Sequence, residues 1–298
     1  MLRMVVTVLA LISAACATGD VPANNGVPLS FEERCAQPGV VKCLGFDSQE
    51  QADPFIYPPW GQTTKRARIV TDIKASGNGS LRFEIPSNTG SDTSGSFWQN
   101  FSDDLSVQFG EGEEFYVQWR QRFSPEFLDT YYKGGNGWKQ AGVGEGDRPG
   151  KVVYSCTQLE IVIHDANQNG APEMYHSCGG KDGQYQPLDS SVRWVRYKAN
   201  QWMTFQIGVK IGTWYRNDGK YHRDSTIRLW VAEAGRPSKL AVNETKYDIA
   251  NDNPVAKYGK LWLLPYHTGK DPSQRHPTAY TWYDELIISR SRIADPKM

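Results

Sequence analysis

From Cys35 onward the chain is a succession of short runs rich in β-branched and aromatic residues, each closed by Gly, Asn, Asp or Pro. The runs span 67–73, 80–85, 115–123, 157–164, 202–211, 226–232, 260–266 and 280–289. Several strands of this length, separated by turn-forming residues and without a helical period, predict an all-β sandwich or jelly roll. One short helix is predicted at 125–132, with Ser124 as its N-cap and Pro125 at its first position, where a missing N–H costs nothing. No βαβ alternation, solenoid repeat or internal linker interrupts the pattern, so residues 35–298 read as a single domain of a size that buries a real core.

The N-terminus carries a different signal. Arg3 precedes an apolar run from Met4 to Ala15 that ends in Ser13, Ala14 and Ala15 and then turns polar at Thr18. This predicts a secretion signal over residues 1–16, too short for the roughly 20 apolar residues of a membrane span. Two processing routes are open: cleavage after Ala17, following the small-x-small rule, or a lipobox ending in Ala14-Ala15-Cys16 with Cys16 as a lipid anchor. Ser13 departs from the branched apolar residue usual in a lipobox. Residues 17–34 are polar with Pro and Gly and are expected to form a flexible tether. The other four of the five cysteines fall into two local pairs, Cys35 with Cys43 and Cys156 with Cys178, which predicts two disulfides in an exported protein. The expected location is the cell surface or outer membrane as a lipoprotein, or the periplasm or medium.

Charge excludes one class of partner. With 33 basic and 33 acidic side chains and no cluster of Lys or Arg, the chain lacks the footprint that tracks a phosphate backbone. The 10 Trp and 15 Tyr serve a sandwich core, a sugar-stacking surface, or both.

Period-two alternation separates the faces of individual strands. In 115–123, Phe115, Val117, Trp119 and Phe123 form the apolar set, and Tyr116, Gln118, Arg120 and Arg122 lie opposite. In 158–164, Leu159, Ile161 and Ile163 face a core, and Gln158, Glu160, Val162 and His164 face away. Gln, Glu, His and Arg on such faces suggest a sheet lining a polar groove. Cys156 and Cys178 are symmetric about Asn167, which predicts a disulfide-clamped hairpin in which Gln158 faces His176 and both share the face of Glu160 and His164. Asp165-x-Asn167-x-Asn169-Gly170 also resembles the first half of a calcium loop, but His176 stands where the bidentate Glu belongs, so a plain Asn-Gly turn is the preferred reading.

Three segments resemble the concanavalin-A-like jelly-roll polysaccharide lyases, the group of alginate, glucuronan and heparin lyases. They are Phe115-Tyr-Val-Gln-Trp-Arg-Gln-Arg-Phe-Ser-Pro-Glu-Phe followed by Lys133-Gly-Gly-Asn-Gly-Trp-Lys139, then Gln158-x-Glu160-x-x-x-His164, and finally Tyr280-Thr-Trp-Tyr-Asp-Glu-Leu-Ile-Ile-Ser289. With Gly45-Phe46-Asp47 as the first strand, the resemblance covers about residues 40–293. Strand 158–164 does not carry the Gln-x-His tripeptide of alginate lyases and reads Gln158-x-Glu160 instead.

The resemblance implies an exported enzyme cleaving an acidic, uronic-acid-containing polysaccharide by β-elimination as a monomer, with no required cofactor and at most a structural calcium ion. The reaction needs a group that neutralises the C6 carboxylate, a base for the C5 proton and an acid for the departing O4. Arg120 and Gln158, with Arg122 as a second carboxylate contact, suit the first role. His164 or His176 suits the second, and Tyr116, Tyr266 or Tyr280 the third. Glu160, Lys133, Lys139, Trp138 and His267 are the expected substrate contacts. Two other readings stay open on the same fold: a non-catalytic carbohydrate-binding lipoprotein using rings such as Trp98, Trp138 and Trp214, and a laminarinase-like glycoside hydrolase. The hydrolase reading needs two carboxyl groups about 5 Å apart, and strand 158–164 offers only Glu160.

Overall fold

The computed structural model of the chain describes residues 27–135, 137–146, 159–164, 171–176, 184–186, 195–214, 222–247, 249, 255 and 257–297. Its strands are β1 (Val40–Leu44), β2 (Ile56–Tyr57), β3 (Ala67–Val70), β4 (Ser80–Ile85), β5 (Ser96–Asn100), β6 (Glu114–Phe123), β7 (Gly137–Glu145), β8 (Leu159–His164), β9 (Ala171–His176), β10 (Gln184–Gln186), β11 (Trp202–Lys210), β12 (Ser225–Ala232), β13 (Lys239–Tyr247), β14 (Tyr258–Leu263) and β15 (Ala279–Ser289). They form two antiparallel sheets. One is eight-stranded in the order β13-β12-β11-β6-β15-β4-β3, with β1 added to β15; the other is seven-stranded in the order β10-β9-β8-β7-β14-β5-β2. This is the jelly-roll sandwich that the strand pattern predicts.

The core lies between the sheets and follows the alternation. Phe115, Val117, Trp119 and Phe123 of β6 are fully buried against one cluster that also takes Phe97, Ala141, Val143, Met174, Leu261 and Leu263 from the opposite sheet. Each large apolar side chain contributes about 1.5–3 kcal/mol by leaving water. The polar exception in β6, Gln121, sits in a closed hydrogen-bond network. Its Nε2 donates to Thr281 Oγ1 at 2.9 Å, and its Oε1 accepts from Gln140 Nε2 at 2.6 Å. The Tyr197 hydroxyl completes the network by donating to Gln140 Oε1 at 3.3 Å.

Helix α2 (Pro125–Asp129) starts as predicted, with Ser124 Oγ accepting from Phe127 N at 3.2 Å, and it ends three residues earlier than 132. Strands β5, β7 and β13 were not legible. In β7, Gly137, Gly142 and Gly144 dilute the β-forming residues, and pairing to β8 and β14 on its two edges makes it a strand nonetheless. The first strand also differs from expectation. Val40–Leu44 pairs with the end of β15, whereas Phe46 has left-handed backbone with φ of 53° and turns its ring onto Phe97 at 5.3 Å.

Residues 29–34, expected within the tether, are packed, and residues 17–26 lie outside the described residues. Leu29 N donates to Asp295 O at 2.9 Å, and Ser30 caps helix α1 (Phe31–Cys35) with a reciprocal box to Glu33. The Cys35–Cys43 disulfide joins α1 to β1. The packed segment lies on the outer face of the eight-stranded sheet, where Arg34 is fully buried. Its guanidinium pairs with Glu285 and donates to Gln118 Oε1 at 2.5 Å, while Arg120 Nη1 approaches the other Glu285 oxygen at 3.4 Å.

Glu285 occupies a break in β15. Register with β6 shifts between Asp284 and Ile287, and Glu285 adopts φ of 50°, a left-handed conformation rare for a side chain of its size. Asp284 holds the bend by accepting from the backbone N–H groups of Ala75, Ser76 and Glu285 at 2.7, 3.3 and 2.7 Å. Burial nevertheless pushes the Asp284 carboxyl up to about 7. Removing one partner of a buried pair leaves an uncompensated charge. Arg34→Ala is therefore expected to lower stability by about 3–5 kcal/mol in urea unfolding; a loss under about 1 kcal/mol, the scale of an exposed pair, would show that α1 is not anchored this way.

Candidate active site

The outer face of the seven-stranded sheet carries a row of residues in direct register. Glu160 of β8 pairs with Gly142 of β7, Gly142 with Trp262 of β14, and Trp262 with Trp98 of β5. A register shift between Lys139 and Ala141 sends Gln140 into the core network and leaves Lys139 outward, opposite Val162. His164 pairs with Gly137 at the end of the same two strands. Alternation places Gly142, Trp262 and Lys139 outside because Trp138, Ala141, Val143, Leu261 and Leu263 are inside.

Trp98 and Trp262 stack with ring centroids 4.1 Å apart and an interplanar angle of 18°, and Leu264, Tyr57 and Tyr266 pack around them. After β14 the chain runs on beside β7: Lys139 N donates to Tyr266 O at 2.8 Å, and Thr268 N to Gly137 O at 3.0 Å. This continuation sets Tyr266 next to Lys139. The ammonium stands 5.5 Å from the Trp262 ring and 5.4 Å from the Tyr266 ring, within cation–π range. Lys260 lies 4.9 Å from the Trp98 ring, and the Tyr266 hydroxyl donor–acceptor pair with Ser91 Oγ is 3.0 Å long. The stacked indoles are only 8% and 9% exposed, so they form a floor under these polar groups rather than a raised sugar platform.

The Gly-rich loop closes one end of this face. Gly134 N donates to Gly269 O at 2.9 Å, and a Cβ on Gly269 would stand 1.9 Å from Gly135 O, so this backbone-to-backbone approach requires glycine. Lys133 projects from the loop, largely exposed and 3.8 Å from Asp271. Behind it, buried Lys270 donates to Thr89 O and Thr89 Oγ1 at 2.8 and 2.6 Å, and burial pulls its ammonium down to about 8.

Several residues expected in one groove are elsewhere. Arg120, Arg122, Tyr116 and Tyr280 lie in the eight-stranded sheet, on its outer face, with the whole core between them and Lys139. Arg120 is buried against Glu285, and the Tyr116 hydroxyl donates to Glu114 Oε1 at 2.7 Å with its pKa raised by burial. Tyr280 lies under the Arg82 guanidinium at 4.9 Å. Trp138 and Trp214 are core side chains, 2% and 1% exposed. His267 is also core: it packs on Phe127 and Tyr132 with centroids 4.8 and 4.9 Å away, and its Nδ1 bonds Pro265 O at 2.8 Å. The hairpin register differs by one residue from the symmetric pairing. His176 pairs with Leu159, and Tyr175 takes the place opposite Glu160, so His176 belongs to the strand set of buried Met174. Gln158, Cys156, Cys178, Cys16, Asp165, Asn167 and Asn169 lie outside the described residues. Lys260 and Trp262 were missed, although alternation along Lys260-Leu-Trp-Leu separates them from Leu261 and Leu263.

No protein-family model matches the sequence, and a search of curated proteins finds no match. Solved structures do. A marine alginate lyase from Aplysia kurodai aligns at 13% identity over 84% of this chain and 98% of that one, with a TM-score of 0.55. An alginate lyase in complex with an alginate trisaccharide aligns at 15% identity over 86% and 100%, with a TM-score of 0.52. The endo-β-1,4-glucuronan lyase of the fungus Trichoderma reesei aligns at 13% identity over 79% and 91%, with a TM-score of 0.50. The chain has the concanavalin-A-like jelly-roll fold of these polysaccharide lyases.

Burial, opposed by the Pro265 carbonyl, pulls His267 from 6.5 down to about 3. The folded state therefore keeps this imidazole neutral where the unfolded chain protonates it, and the unfolded state binds more protons between those values. Stability is lost as pH falls from about 6.5 towards 3. His267→Gln is expected to flatten the fall of the melting temperature across that window, read by circular dichroism at stepped pH. An unchanged slope would place the acid sensitivity elsewhere.

Proposed function

We propose that the chain is an exported polysaccharide lyase that cleaves a uronic-acid-containing polymer by β-elimination on the outer face of the seven-stranded sheet. The observation that carries this reading is the meeting of Lys139 and Tyr266 over the Trp98–Trp262 floor, on strands that also bring Glu160 and His164 into register. Export is supported by the signal-like N-terminus and by the Cys35–Cys43 disulfide, a bond that persists in oxidising compartments.

In this reading the Lys139 ammonium pairs with the C6 carboxylate of the bound uronate. Its charge stabilises the enolate-like density that develops when the C5 proton leaves, and so acidifies that proton. His164 accepts the proton. The electron pair of the C5–H bond becomes the C4–C5 double bond, the C4–O4 bond breaks, and the Tyr266 hydroxyl gives its proton to O4. Ser91 fixes the direction of that hydroxyl. Lys139 thus takes the neutralising role first given to Arg120, which Glu285 already occupies.

Incubation with a panel of uronate polymers, followed by the ultraviolet absorbance of the unsaturated product, tests this directly. Lys139→Ala and Tyr266→Phe are each expected to lower kcat/KM by about 10²–10⁴-fold, while Tyr116→Phe, on the other sheet, leaves it unchanged. Absence of unsaturated product from every polymer, or full turnover by both variants, contradicts the proposal.

A further inference from the structure

The face that the sequence singled out with Arg122 is left without a role by this chemistry, and only part of it is covered. Helix α1 and the C-terminal residues pack over Gln118 and Tyr116, where Gln118 Nε2 donates to Ala294 O at 3.0 Å and Tyr116, Ile287 and Ile293 cluster. Beyond Arg120 the same sheet carries a second row in direct register. Trp202 of β11 pairs with Arg122 of β6, Arg122 with Trp282 of β15, Trp282 with Arg82 of β4, and Arg82 with Arg68 of β3. At the usual strand spacing the five positions span about 19 Å.

These guanidiniums lack the partners that their neighbours have. Glu84, the carboxylate on this part of β4, is 3.9 Å from Arg66. Among the described residues no carboxylate lies within ion-pair distance of Arg68, Arg82 or Arg122; the hydrogen bond of Arg122 goes to Asn200 Oδ1 at 3.3 Å, and Arg82 lies over the Tyr280 ring. The Nε groups of Arg82 and Arg122 and the Trp282 Nε1 are shielded donors with no hydrogen-bond partner. Burial lowers the Arg82 pKa and the nearby Arg68 charge adds to that lowering, against the smaller opposing pull of Tyr280, Glu84 and Asp72. Such groups call for an anionic partner with planar, bidentate acceptors.

We infer that the Trp202-Arg122-Trp282-Arg82-Arg68 row, with Tyr280 beside it, is a second binding surface for an acidic polysaccharide strand, on the opposite side of the sandwich from Lys139. The guanidinium forks take carboxylate groups along the strand, and the half-exposed rings of Trp202 and Tyr280 pack on sugar faces. A polysaccharide fits better than a nucleic acid because the whole chain has zero formal charge, which gives no long-range attraction for a phosphate backbone. The surface tethers polymer whether or not the opposite face cleaves it.

The test is affinity electrophoresis of the full mature chain through gels containing a soluble polyuronate, run in a Lys139→Ala background so that the polymer stays intact. Arg82→Gln with Arg122→Gln is expected to weaken retention about tenfold in Kd, 1.4 kcal/mol, and to flatten its salt dependence. Retention unchanged in that variant overturns the inference. So does an equal loss in gels of a neutral β-glucan, or binding of duplex DNA as tight as that of the polyuronate. If the paired variant fails to fold, Arg68→Gln at its exposed position carries the test, with about threefold weaker retention expected from one exposed ionic contact and unchanged retention overturning the inference.

Discussion

The buried pairing of Arg34 with Glu285 sets which side of the sandwich is available for chemistry. It brings the N-terminal segment across the outer face of the eight-stranded sheet, engages Gln118 and Arg120, and meets β15 at the bend where Asp284 collects three backbone N–H groups. A charge pair taken out of water needs further hydrogen-bond partners, and here the glutamine accepts from Arg34 while the second arginine donates to Glu285. The Cys35–Cys43 disulfide holds the same segment from its other end. Part of one outer face is thereby committed to structure.

The opposite face has the complementary design. Its strands place long polar side chains over a stacked indole pair, and the chain leaving β14 runs along β7 so that Tyr266 comes beside Lys139. A cation held against aromatic faces is oriented by their quadrupoles. That arrangement suits a substrate that brings its own carboxylates. The same logic, with guanidiniums in place of the ammonium, applies to the Arg122 and Arg82 row on the far side.

The sequence made the strands legible because alternation is local. The apolar set of β6, the Ser124 cap and the start and end of β4 follow from neighbouring residues alone. What local pattern does not carry is which sheet a strand joins. The polar sets of β6 and β8 look equivalent in sequence, which is why Arg120 and His164 were expected together, yet the two strands belong to different sheets of the sandwich. Register is the second gap: a single-residue offset in the β8–β9 hairpin moves His176 opposite Leu159. The third is context. Trp138 and His267 read as groove residues beside the Lys-Gly-Gly loop, but the β7 register turns Trp138 inward, and the chain beyond β14 brings His267 onto its ring at 6.1 Å. Lys139 was visible throughout, and its importance emerges only when Trp262 and Tyr266 are placed around it.

The central claim is that substrate is transformed over β7 and β14. A crystal structure of the Lys139→Ala variant with a uronate tetrasaccharide tests it most directly. The account predicts a sugar ring over the Trp98–Trp262 floor with a glycosidic oxygen within hydrogen-bond reach of the Tyr266 hydroxyl. Density for the oligosaccharide confined to the eight-stranded sheet, with the β7–β14 face empty, would contradict it.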